Sequence, residues 1–339
     1  MSDLQKALHK KLPPVIPVAA GAGGRRGSGS GRRRRYEYTP VSWDKYWEKC
    51  EDIEVSEGDV FRVYRKGSTG PLLCLLHGGG YSALTWSLFA ESVTDMVECQ
   101  VMAFDQRGHG DTCTTDDTDL SADTLAKDVG RVIEATFEDK DTHPPCVLIG
   151  HSMGGAVGVH TAYNQYITDL AGLVVIDVVE GTAMDALSSM QSFLRGRPQH
   201  FNSLQNAIEW GVRSGQTRNA EAARVSMPGQ LNKYTWRIDL SSTEKFWPGW
   251  FQGLSSKFLS SPPAKMLLLA GIDRLDTDLT VGQMQGKFQM QVLPQCGHAV
   301  HEDVPDRVAE VLATFLLRYK LTQPIGDFHR VDLYTYILQ

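Results

Sequence analysis

The residues most able to do chemistry are Gly150-His151-Ser152-Met153-Gly154, a G-x-S-x-G string. A serine hydroxyl is a poor nucleophile until a base takes its proton. Here the string follows a short apolar run, Cys146 to Ile149, and opens a small-residue helical stretch from Met153. In that strand–turn–helix setting the flanking glycines permit a strained turn that lifts Ser152 Oγ clear of the sheet. The base should be a histidine that comes late in the chain, after the acid. His298 fits, in the loop Gln295-Cys296-Gly297-His298 between the last strand-like run and the last helical pattern. His301 competes with it, but reads better as a neighbouring loop or helix-start residue. His9, His143, His160, His200 and His329 fit no role, and their default is surface or packing. The acid has two candidates, Asp273 after the run ending at Leu269 and Asp177 after the run ending at Ile176. Both would lie at the C-terminal end of a strand, so the residues alone leave the choice open.

Ester or amide hydrolysis also needs donors for a tetrahedral oxyanion, each worth about 3 kcal/mol of barrier. His77-Gly78-Gly79-Gly80 follows the apolar run Leu72 to Leu76, and its glycines let backbone N–H groups approach a substrate closely. The expected donors are the Gly79 and Met153 amides. A phosphate cradle is disfavoured, because no Gly-Lys-Ser/Thr follows. Asp105-Gln106-Arg107-Gly108-His109-Gly110 reads as a structural turn over the sheet. No cluster has metal-ligand spacing, so neither a metal nor a cofactor is expected.

These residues need a scaffold, and the apolar pattern supplies one. Val60 to Lys66 alternates like an outer strand, whereas Leu72 to Leu76, Val101 to Phe104, Cys146 to Ile149, Leu173 to Ile176, Met266 to Leu269 and Met290 to Leu293 read as strands. Leu125, Val129, Val132 and Ile133 recur at helical spacing with Ser121 as N-cap, and a final helix runs from about Pro305 to Tyr319. Strands alternating with helices mean an α/β fold with a mostly parallel central sheet and helices on both faces. Residues 36–177 and 264–325 form that core. Between them, residues 178–263 read as helix and loop with Trp210, Trp236, Trp247 and Trp250 concentrated there, and so long a connection should be a structured helical lid. Most of those tryptophans should pack the insertion's own core.

Composition limits the function. The 339 residues carry a net charge of −6, which argues against nucleic acid as a partner. Residues 1–35 contain a Gly/Ser/Arg-rich stretch with the run Arg32 to Arg35, and should form a disordered basic arm that could serve nuclear import. The six cysteines have no C-x-x-C spacing and read as reduced thiols of an intracellular protein. No run approaches transmembrane length, so no membrane association is expected.

With H-G-G-G, D-x-R-G-H-G, G-H-S-M-G-G and G-H-A-V-H-E in this order, the chain resembles an α/β-hydrolase from Leu72 to Tyr319. More closely, it resembles the protein phosphatase methylesterases, through Gly150 to Gly155, Val175 to Leu187 (VIDVVEGTAMDAL), Ser192 to Pro198 (SFLRGRP) and Gly282 to Asp303. The resemblance implies a serine esterase that removes the methyl ester from the C-terminal leucine of the protein phosphatase 2A catalytic subunit, and that meets this subunit and its core complex as partner. It also implies that Asp177 is the acid, beside Ser152 and His298, and a location in nucleus and cytoplasm. The chain departs from the family between Met227 and Tyr234, where it is short, and in its tail, residues 326–339. A general small-molecule carboxylesterase, or a hydrolase-fold protein that binds and inhibits the phosphatase, would share the same residues.

Overall fold

A computed structural model describes residues 37–137, 144–271 and 275–328. The strands are β1 Lys49–Ser56, β2 Asp59–Lys66, β3 Leu72–Leu76, β4 Gln100–Phe104, β5 Cys146–His151, β6 Leu170–Ile176, β7 Leu231–Asn232, β8 Thr235–Trp236, β9 Ala264–Leu269 and β10 Gln289–Val292. Eight of them form one sheet in the order β1-β2-β4-β3-β5-β6-β9-β10, parallel from β4 to β10 and antiparallel at the β1-β2 end. Every residue of β3 and β5 is buried, as uninterrupted apolar runs in a sheet covered on both faces must be.

β1 escapes the apolar pattern because KCEDIEVS is charged at four of its eight positions. It is held instead by its hairpin with β2, whose Arg62 grips Asp52 at 2.6 Å. β2 is consequently the second strand of the sheet and not the outermost one.

Helices cover both faces. On one side lie α1 (Ser87–Met96) and the chain's last helix; on the other lie α2 (Ala122–Thr136) and α3 (Met153–Tyr163). Ser121 caps α2 by accepting from the Thr124 N–H, which satisfies one of the amides a helix start leaves without a partner.

Between β6 and β9 the chain forms α4 (Glu180–Arg195), α5 (Leu204–Ser214), α6 (Ala220–Gly229), the β7–β8 hairpin, α7 (Trp247–Phe251) and α8 (Leu254–Ser260). The hairpin breaks the expected pattern of helix and loop alone. Trp210 and Trp236 join a small separate core with Phe201, Ile208 and Met227, whereas Trp247 and Trp250 pack into the main core over α3. Only the first pair packs the insertion's own core, which Tyr38 also borders. After β9 come α9 (Thr277–Met284), β10, the short α10 (Val300–Asp303) and α11 (Pro305–Arg318). The basic arm and residues 329–339 of the tail lie outside the described residues. No described helix is long and apolar enough to cross a membrane.

Candidate active site

Three strand ends supply the site. β5 stops at His151 and α3 starts at Met153, leaving Ser152 alone at the turn with φ 53° and ψ −120°. A residue with a side chain adopts such angles only at a cost of about 1–3 kcal/mol, so the surroundings must enforce them. They do so through close packing. A side chain at Gly150 would run into the Gly154 carbonyl, and one at Gly154 into the Leu76 carbonyl. The Ser152 N–H donates to Ile176 O at 3.0 Å, which extends the β5–β6 pairing through Ser152.

β6 ends one residue before Asp177, which also has a positive φ, 52°. Its N–H donates to Leu268 O at 2.8 Å, and its Oδ1 accepts from the Ala270 N–H at 3.0 Å. The second oxygen, Oδ2, lies 2.8 Å from His298 Nδ1. The carboxyl is wholly buried while the imidazole is half exposed. A carboxylate on Nδ1 fixes the proton there and leaves the Nε2 lone pair as a base. Among the described residues the Ser152 hydroxyl donates to no acceptor, His298 included; such contacts often close only once substrate is bound. Asp273 lies outside the described residues.

His301 is not placed to act as a base. It is fully buried in α10, stacks 4.2 Å from Trp86, and gives its Nε2–H to Thr85 Oγ1 at 2.9 Å. Burial pushes its pKa down to about 3.

The His77–Gly80 loop lies against the elbow. A side chain at Gly78 would stand 3.3 Å from Ser152 Cβ, and one at Gly79 would stand 3.6 Å from Met153 Sδ. Among the described residues the Gly79 N–H has no acceptor, and Met153, first in α3, lacks an intrahelical one. The Gly80 N–H, by contrast, is used up on His109 Nε2 at 3.0 Å. That contact gives the Asp105–Gly110 turn its task. His109 donates from Nδ1 to Arg107 O, and burial pushes its pKa down to about 4, so it stays a neutral acceptor under Gly80. Asp105 receives the Ala83 N–H at 2.7 Å, and Arg107 forks onto Asp128 at 2.7 and 2.9 Å.

Residues 74–311 match the Alpha/beta hydrolase family. The fold is similar to that of E-2-(acetamidomethylene)succinate hydrolase, with a TM-score of 0.64 at 19% identity over 79% of this chain and 98% of that one. The sequence is similar to protein phosphatase methylesterase 1 of Mus musculus, 52% identical, and of Homo sapiens, 51% identical, in each case over 98% of this chain and 99% of the relative. This chain belongs to the protein phosphatase methylesterase family of α/β-hydrolases. It is a carboxylic ester hydrolase.

Two residues that support this esterase's site gave no sequence signal of their own. Asp303 accepts from the Gly297 N–H and the Arg218 N–H, both at 2.6 Å, and so ties the His298 loop to the insertion. His151, the variable position of G-x-S-x-G, donates from Nε2 to the His298 carbonyl at 2.8 Å, with the two rings 4.6 Å apart. Burial holds His151 neutral, well below the usual histidine range. It is thus a positioning residue that joins the backbone of one candidate catalytic group to the chain neighbour of another. His151→Phe keeps an aromatic ring and removes the donor. We expect kcat on a p-nitrophenyl ester to fall about tenfold or more, because small displacements of a base are costly. His151→Gln, which restores a donor, should recover part of the loss. Equal kcat in the Phe variant and the native protein would dismiss the positioning role.

Proposed function

We propose that this esterase removes the methyl ester from the C-terminal leucine of the protein phosphatase 2A catalytic subunit. Ser152 attacks the ester carbonyl as His298 Nε2 takes its proton, and the Gly79 and Met153 amides hold the oxyanion. The tetrahedral intermediate collapses, the proton passes from His298 to the departing oxygen, and methanol leaves. Water then attacks the acyl-enzyme by the same route, releasing the leucine carboxylate and regenerating Ser152. Asp177 keeps Nδ1 protonated throughout and stabilises the imidazolium.

The observation that carries the chemistry is the 2.8 Å contact of Asp177 Oδ2 with His298 Nδ1 next to the Ser152 turn. The substrate class is supported by relatives whose name is protein phosphatase methylesterase 1. The choice of the type 2A subunit and its C-terminal leucine follows from the resemblance of the VIDVVEGTAMDAL and SFLRGRP strings. Residues 178–263 are the part free to act as a lid and grip the phosphatase or its core complex. The arginine run Arg32 to Arg35, outside the described residues, supports a distribution between nucleus and cytoplasm.

A methyl ester at a flexible chain end offers little to hold, so remote contacts should contribute to turnover as well as affinity. The test compares kcat/KM on the methylated phosphatase, its methylated C-terminal peptide and a p-nitrophenyl ester. A much higher value on the intact phosphatase is expected. Comparable values on protein and peptide would favour the general carboxylesterase reading.

A further inference from the structure

A cation that pairs with no carboxylate among the described residues lies beside the loop that carries Gly79. Arg197 follows α4 within SFLRGRP, and its Nη1 lies 3.7 Å from where a side-chain carbon of Gly80 would stand. The guanidinium carbon sits 3.5 Å from the Trp236 ring centre and 5.9 Å from that of Trp210. This platform is firmly built. Trp236 donates from Nε1 to Pro198 O at 2.8 Å, and the rings of Phe201, Trp210 and Trp236 stand 5.4–5.8 Å from one another.

Among the described residues the platform holds no counter-charge. Arg197 Nε is buried with no hydrogen-bond partner, and no carboxylate pairs with the side chain among the described residues. Burial lowers its pKa to about 10. The carboxylates around neighbouring Tyr81 are engaged elsewhere: Glu302 with Thr85, Asp303 with Gly297 and Arg218. Aromatic faces attract a guanidinium, and a purely structural arginine could rest on them. Such an arginine would nonetheless be expected to give its N–H fork to carbonyls, because undelivered buried donors are costly. Leu240, whose methyl lies 2.7 Å from the same Gly80 position, closes the other side of this corner and keeps it apolar. A planar fork of donors in an apolar corner is the geometry that receives a carboxylate bidentately.

We propose that Arg197 is a substrate-binding residue that pairs with a carboxylate of the peptide being processed. The inference rests on the reading of this site as a peptide methylesterase. The carboxylate has two sources, an acidic side chain near the end of the substrate or the terminal carboxylate that hydrolysis creates. Either source makes Arg197 a determinant of which chain ends the enzyme accepts or releases.

The test has two arms. In the first, peptides ending in leucine methyl ester are compared in pairs that differ by Asp against Asn, or Glu against Gln, near the terminus. In the second, peptides ending in a free carboxylate or in an amide compete with p-nitrophenyl acetate. The wild type should favour the carboxylate member by about tenfold or more in at least one arm, the range of a charged hydrogen-bonded pair. Arg197→Met should bring that ratio to about one, and Arg197→Lys should keep part of it. A ratio that collapses in the first arm identifies a side-chain carboxylate; in the second, the terminal carboxylate. No carboxylate preference in the wild type overturns the proposal without any variant having to fold, as does a preference unchanged in Arg197→Met. If no peptide methyl ester is turned over, the methylesterase reading fails, and the competition arm still decides the role of Arg197.

Discussion

Ser152→Ala is expected to lower ester hydrolysis by on the order of 10⁴- to 10⁶-fold and to abolish labelling by a fluorophosphonate, with no loss of thermal stability. The expectation combines two facts about one residue. The hydroxyl donates no hydrogen bond among the described residues, so its removal leaves nothing unpaired in the folded protein. The backbone at this position, with φ 53°, is strained for alanine as it is for serine. A companion variant separates chemistry from strain. Ser152→Gly should be equally inactive but more stable, by about 1 kcal/mol, since glycine adopts positive φ at little cost. Hydrolysis, probe labelling and melting temperature of both variants check this. Labelling that persists in Ser152→Ala would remove Ser152 from the mechanism.

Asp177→Asn is expected to cost about 10⁴ in kcat, the size of effect found when a triad carboxylate becomes an amide. The geometry says why. Oδ1 already accepts from the Ala270 N–H, so an asparagine that keeps that contact must turn its NH2 toward His298. Nδ1 would then accept instead of donate, the ring proton would move to Nε2, and the base would be lost. Asp273→Asn serves as the comparison and should cost far less. Equal losses in the two variants would show that the orienting carboxylate has been assigned to the wrong strand end.

The choice between those aspartates illustrates what the sequence could and could not disclose. Each follows an apolar strand run, and nothing in the runs says which faces the histidine. That depends on β6 and β9 being sheet neighbours, so that Leu268 O and the Ala270 N–H clasp Asp177 from the side. The elbow was legible because its requirements are local: a buried strand, two small residues and a helix in unbroken succession. The Ser121 cap was legible for the same reason. β1 was not, since its alternate charges suit a half-exposed edge strand that only pairing with β2 defines. Neither α1 nor the two-residue strands of the β7–β8 hairpin follow from the sequence reading above, the latter being too short to show a period. His109, His151 and Asp303 act on partners 29, 147 and 85 positions away, beyond any window in which a pattern could form. Arg197 is the sharpest case. In the sequence it is one of two arginines flanking Gly196, and only the folded insertion lays it on tryptophans beside Gly80.

The clasp on Asp177 also bears on the order in which the molecule gains its function during folding. The strand pairing that frames the Ser152 turn, from β3 to β6, lies within residues 72–176 and is synthesised before the insertion. The bonds that seat Asp177 come from β9 and the residue after it, which can reach β6 only after the whole segment between them has been closed into a loop, and His298 arrives later still. Non-local closure of this kind is slow compared with local contacts. A growing or refolding chain therefore forms the Ser152 turn well before Asp177 and His298 are in place. In refolding followed by stopped-flow, reactivity toward a fluorophosphonate should trail the burial of the β3–β6 core and rise only after β9 has docked, as the His298 loop closes on Asp177, so that partly folded molecules carry a quiet hydroxyl and not an indiscriminate nucleophile.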